Sequence, residues 1–153
     1  MIRGSTSVYD PLYSYPKSRY EPSPVIDLSS PNERRRLSAS AIKAFLAITR
    51  RWNLRGQEAR GLAGDLTLDE WRAWGRHPEP VLEQSSLIRV SHIVSIFHAL
   101  HEIHGEELAD IWIRLPNTNH VFRGECPLTV MLMGGTPVIQ RVRSLLDARR
   151  FGK

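Results

Sequence analysis

Between Ser85 and Gly105 the side chains Leu87, Val90, Ile93, Val94, Phe97, Leu100 and His104 recur every three or four residues. That period is one face of an α-helix; in a strand the shared face would recur at every second residue. Ile88, Ile96 and Ile103 widen the apolar face, as expected for a central helix or a dimer surface. Gly105 closes the helix. A chain built around such an element is expected to be all-α.

The flanking segments carry the same period. Ile42, Phe45, Leu46, Ile48 and Trp52 define a first helix, with Ser38 or Ser40 as its cap and Asn53 as its stop. Gln57 to Ala63 reads as a short second helix, with Gly64 in the turn. Thr67-Leu68-Asp69-Glu70 is a capping box that starts a third helix running through Trp71 and Trp74 to about Arg76. Beyond Gly105, Glu106 to Leu115 reads as a short helix with Trp112 inward, and Pro116 to Asn119 as a loop. Pro127 fits the first position of another helix, which Gly134-Gly135 ends. Thr136-Pro137 opens the last helix, with Val138, Val142, Leu145 and Leu146 on one face. Three units follow: an arm over 1–36, a helix-turn-helix bundle over 37–80, and a small helical domain over 81–153.

The arm holds five of the ten prolines and all four tyrosines, Tyr9, Tyr13, Tyr15 and Tyr20. Such a segment buries too little to offset its ordering entropy, so it is either a loose tail or an extended strap along a second subunit. Arg34, Arg35 and Arg36 form a basic run before the first helix.

A chain of 153 residues buries roughly 70% of its unfolded surface on folding, enough to need no metal or disulfide. The lone Cys126 excludes an internal disulfide framework and a four-cysteine zinc site. No apolar run approaches the ~20 residues of a membrane span. The polar first residues do not resemble a secretory signal, and a cytoplasmic protein is expected.

Catalytic chemistry finds no foothold. His98, His101 and His104, with Glu102, miss the zincin spacing, and nothing local completes a ligand set. Cys126 has no nearby His or Asp and reads as a small apolar side chain. No phosphate loop or serine elbow is present. An enzyme is not expected, nor is any cofactor or metal.

Charge is more informative. There are 21 Lys+Arg against 16 Asp+Glu, a net charge of +5. Eighteen of the bases are Arg, the residue suited to bidentate pairing with phosphate or carboxylate. A short helix, a tight turn and a capped helix form the helix-turn-helix arrangement, whose second helix enters the major groove. On that reading Thr67, Arg72 and Arg76 face DNA, while Asp69 and Glu70 at the approaching tip oppose it. A purely structural helical hairpin fits the same residues. The C-terminal bases Arg141, Arg143, Arg149, Arg150 and Lys153 face one acid, Asp147. They either answer a helix dipole or form an arginine-rich plug that enters an anion-binding pocket of a partner.

The stretch from Trp112 through Pro116-Asn117, Phe122-Arg-Gly124 and Pro127-Leu128, then Met133-Gly-Gly and Leu146-Asp-Ala-Arg149, resembles the toxin-binding domain of the MbcA/ParS/Xre antitoxin family. Leu87 to Leu100 resembles the long helix before it. Leu46 to Trp52, Glu58-Ala-Arg60, Gly64 and Trp74 resemble the upstream Xre-like helix-turn-helix. The resemblance implies the antitoxin of a type II toxin–antitoxin pair. Its partner would be a RES-domain toxin that degrades NAD, neutralised by the C-terminal segment. Arg143, Asp147, Arg149 and Arg150 would then contact the toxin. It also implies a homodimer that binds and represses its own operator. Gly56 and Asp69-Glu70 depart from the family pattern on the DNA side. The alternative is a stand-alone dimeric helix-turn-helix regulator.

Overall fold

The computed structural model describes residues 27–76 and 80–152. Their order is α1 (Pro31–Arg51), α2 (Gly56–Gly64), α3 (Leu68–Arg76), α4 (Gln84–Ile103), α5 (Glu106–Ile111), a 3-10 turn (Trp112–Arg114) and α6 (Pro127–Arg150). The described residues contain no strand, so the all-α expectation holds. The four tyrosines of the arm, together with Pro78 and Lys153, lie outside the described residues.

The first helix starts earlier than its apolar period suggests. Ser30 accepts from the Glu33 amide and Pro31 occupies the first turn, a combination that satisfies an orphan donor and pre-sets φ. Arg34, Arg35 and Arg36 therefore lie on α1 rather than before it. Ser38 is not a cap. It is buried, its hydroxyl donates to the Arg34 carbonyl and accepts from the Leu82 amide at 2.8 Å, and so it ties the chain entering α4 to α1. At the other end Asn53 takes φ 52°, a left-handed turn that stops the helix.

Helix α4 is central. It packs against α6 on one side and α1 on another, which explains its wide apolar face. Leu87, Val90, Ile93, Ile96, Ala99 and Leu100 are all completely buried. Each such aliphatic side chain contributes about 1.5–3 kcal/mol over its exposed state. The buried set runs without a break from Leu37 on α1 to Leu146 on α6, so the front and back helices share one core. Helix α4 begins at Gln84, and His104 and Gly105 separate it from α5. The expected helix over 106–115 tightens into a 3-10 turn after Ile111.

Helix α6 is two helices joined at a break. Gly135 has φ 70° and ψ −157°, a conformation essentially reserved for glycine. A Cβ on Gly134 would lie 2.1 Å from Cγ2 of Val138. The sequence Gly134-Gly135 thus ends one helix and lets the next begin with Pro137 in its first turn.

Two arginines join the front of the molecule to the back. Arg89 on α4 donates through Nε to the Leu62 carbonyl at 2.7 Å and through Nη2 to the Gly61 carbonyl at 2.9 Å. It thereby caps the end of α2, whose last carbonyls have no helical partner. Its Nη1 reaches Thr136 Oγ1 beside the α6 break, at 3.2 Å. Burial pulls the Arg89 pKa down, against the opposing field of Asp65. Arg114 in the 3-10 turn donates to Glu58 at 2.8 Å and to the Asn53 carbonyl at 2.9 Å. Glu58 also accepts from the Arg55 amide at the start of α2, at 2.9 Å. The Arg114 hydrogen bond, followed by that backbone bond, holds the Glu58 pKa below the usual carboxylate range.

Candidate functional site

The loop between the 3-10 turn and α6 is built from its own polar side chains. Asn117 Oδ1 accepts from the Asn119 amide, and Asn119 Oδ1 from the Val121 amide, each at 2.9 Å. The Gly124 amide returns to the Asn117 carbonyl at 2.8 Å, and the Asn117 amide to the Glu125 carbonyl at 3.1 Å. These are Asx-type turns, in which a short amide side chain replaces a backbone partner. Gly124 sits at φ 88°, where a Cβ is strained. Phe122 is 1% exposed and meets Trp112 edge to face, with ring centroids 5.7 Å apart. Cys126 precedes α6 with Sγ 3.1 Å from Thr129 Oγ1, and Pro127 starts the helix. The Trp, Pro-Asn, Phe-x-Gly and Pro-Leu residues thus build a rigid platform that sets where α6 begins.

The second half of α6 has three faces. Ile139, Val142 and Leu146 are completely buried. Arg143, Asp147 and Arg150 face α4. Arg143 lies 3.0 Å from His92 Nδ1 and 3.4 Å from Asp147. Arg150 pairs with Glu102 on α4 and lies 3.9 Å from Asp147. Arg150 also covers the Phe151 ring at 5.0 Å. The third face carries Pro137, Arg141, Ser144 and Leu145, against His120 and Val121 of the asparagine loop. Arg149 is exposed.

Of the four residues expected to contact a toxin, three are therefore joined in one network with α4. Neutral His92 accepts from Arg143, and burial, reinforced by the Arg143 charge, keeps the His92 pKa below its ordinary value. His104 is depressed by burial and then by Arg149. Sequence reasoning missed His92, Arg89 and Arg114, and named Glu102 only beside the histidines. The missing signal is three-dimensional, since each partner comes from another element.

At the front, Thr67 and Glu70 cap α3 reciprocally. The Glu70 amide donates to Thr67 Oγ1 at 3.1 Å and the Thr67 amide to Glu70 Oε1 at 2.8 Å. The capping box is present as expected, so Thr67 is occupied at the helix start. Arg72 and Arg76 are exposed and make no ion pair among the described residues. Trp74 is 3% exposed and Trp71 half-buried, both edge to face with Phe45 of α1 at 5.8 and 6.2 Å. The helix pair is anchored inward by tryptophan and presents Asp69, Glu70, Arg72 and Arg76 outward.

The three clustered histidines have separate surroundings. His101 stacks on Phe97 with centroids 4.2 Å apart, bonds the Phe97 carbonyl at 2.9 Å and lies 3.0 Å from Asp110. Asp110 also pairs with Arg51 of α1 at 2.9 Å, so this cluster braces α1, α4 and α5. His98 is exposed. Among the described residues no three His, Cys, Asp or Glu side chains gather as a metal site. No helix there is long and apolar enough to cross a membrane.

Residues 99–152 match the family model described as the antitoxin Xre/MbcA/ParS C-terminal toxin-binding domain. The match is to about a third of the chain and supports an antitoxin role. The match begins near the end of α4 and takes in the asparagine loop and all of α6. No curated protein and no solved structure matches the chain.

Proposed function

We propose that the chain is the antitoxin of a type II toxin–antitoxin pair, acting in the cytoplasm as a homodimer. It binds its cognate toxin through the C-terminal domain; of Arg143, Asp147, Arg149 and Arg150, exposed Arg149 is the contact residue, and the other three hold the end of α6 against α4. The toxin is of the RES type and degrades NAD. The observation that carries the reading is the match over 99–152, together with the way Trp112, Asn117, Phe122 and Gly124 build the matched domain. The helix-turn-helix unit over 37–80 binds operator DNA through Thr67, Arg72 and Arg76.

The test is co-purification of the tagged full-length chain with its partner from its own cells, followed by intact mass. A small protein in fixed ratio that arrests growth and depletes NAD when expressed alone supports every part of the toxin reading. Recovery with DNA but no protein would instead favour a stand-alone regulator. Truncation should begin at Phe151, because Leu146 is completely buried and its loss would unfold the domain. For DNA, Arg72→Ala with Arg76→Ala should weaken operator binding and reduce its salt slope by about 2.

A further inference from the structure

The net charge of the α6 end does not say which of its cations a partner can reach. Arg143 and Arg150 share the carboxylates of Asp147 and Glu102, two charges of each sign in one network. Arg141 and Arg149 are exposed and make no ion pair among the described residues. They lie on one helix line with Leu145 between them, at steps of four residues. Along the axis they are about 12 Å apart, from the rise per residue.

Arg141 and Leu145 of that line border a groove of about 530 Å³ between the second half of α6 and the asparagine loop, and exposed Arg149 stands one helical turn beyond Leu145. Its walls include Val121, Pro137 and Leu145, with His120, Arg141 and Ser144 at the polar positions, and no carboxylate lines it. The floor is fixed by the core residues Ile139, Val142 and Leu146 below and by the Asn117–Asn119 turns beside it. The groove therefore combines an apolar floor, unpaired positive charge and a rigid rim. The matching chemistry is an apolar side chain with carboxylates on either side of it.

We infer that this groove takes an acidic, apolar-centred segment of the cognate toxin, with its carboxylates on Arg141 and Arg149 and its apolar side chain against Leu145 and Val121. This rests on the antitoxin reading and goes beyond it, because it moves the recognition surface away from Arg143 and Arg150. Those two residues hold α6 on α4 and act as positioning residues.

The experiment uses the full-length chain and the toxin that co-purifies with it, purified separately. Arg141→Glu with Arg149→Glu should weaken toxin binding at least tenfold in titration calorimetry while the melting temperature is unchanged. The wild-type affinity should fall steeply with salt. If the double charge reversal alters melting, Arg141→Gln with Arg149→Gln replaces it, with a loss of several-fold expected. A photo-crosslinking residue in place of Ser144 should attach to a toxin peptide rich in Asp and Glu. Introducing Lys at the attached toxin carboxylate should restore binding to the Arg141→Glu form. Unchanged affinity in the folded double variants would overturn the groove assignment while leaving the antitoxin reading intact. A crosslink to a second copy of this chain would overturn it also. Failure of any toxin to bind the wild-type chain would overturn both.

Discussion

The α3 end and the α6 end of the molecule both display exposed arginines, but only α6 also draws arginines into ion pairs with a neighbouring helix. On α3, Arg72 and Arg76 stand in solvent, and the acids nearby, Asp69 and Glu70, sit at the helix start, where Glu70 is held as a cap. On α6, Arg143 and Arg150 are drawn into a network with His92, Glu102 and Asp147 that seals one helix to another. The lesson is that a charge count does not measure available charge. A guanidinium already spending its donors on a carboxylate brings a partner little net field.

The comparison would break most visibly at the loop that sets α6. Phe122→Ala removes a ring that is 1% exposed and packed on Trp112, and should cost about 3–5 kcal/mol. Thermal unfolding checks this, and toxin binding should be lost with it, whereas the same measurement on Arg72→Ala should show almost no change in stability.

Next in size is the joint between the two ends. Arg89→Met keeps most of the volume but leaves the Gly61 and Leu62 carbonyls without their donor, at about 1–3 kcal/mol. Denaturant titration measures it, and hydrogen exchange should rise at the end of α2 and around Thr136 together. Exchange confined to α2 would mean that the ends are coupled by packing alone.

The cap of α3 sharpens the front half. Thr67→Ala removes the acceptor for the Glu70 amide at 3.1 Å, for about 1 kcal/mol. Circular dichroism should show the loss, with toxin binding unchanged.

Proton linkage gives the smallest effect and belongs to the back half. His92 and His104 both have pKa values held below the ordinary 6.5. Above that value both states are neutral and the histidines do not change stability. As the pH falls below it, the unfolded chain takes up protons that the folded chain resists, so stability declines until the depressed folded values are passed. Melting should therefore fall as the pH drops below about 6.5. His92→Gln should flatten part of that slope, and an unaltered slope would remove His92 from the account.

Much of the helical layout is readable along the chain. The three-four spacing of Leu87 to Leu100, the box at Thr67-Glu70, Pro127 at a helix start and Gly134-Gly135 at a helix break all act within a few residues, and each appears where its local chemistry requires. The start of α1 was displaced because Ser38 looks like a cap in sequence, while its hydroxyl is used by Arg34 and Leu82. The candidate site was less readable. The motif residues Trp112, Asn117, Phe122 and Gly124 stand out in sequence, but their work is to shape the loop.

By itself the sequence determined most of the helical layout and its buried faces, because capping, periodicity and turn geometry are local. Only the tertiary structure decided which arginines are structural. Arg89 reaches a carbonyl 27 residues away and Arg114 one 61 residues away. Arg143 meets His92 across 51 residues. Coulomb attraction and hydrogen bonding act over a few ångströms in space. Whether an arginine serves the fold or faces a partner therefore depends on which helices the core has brought together.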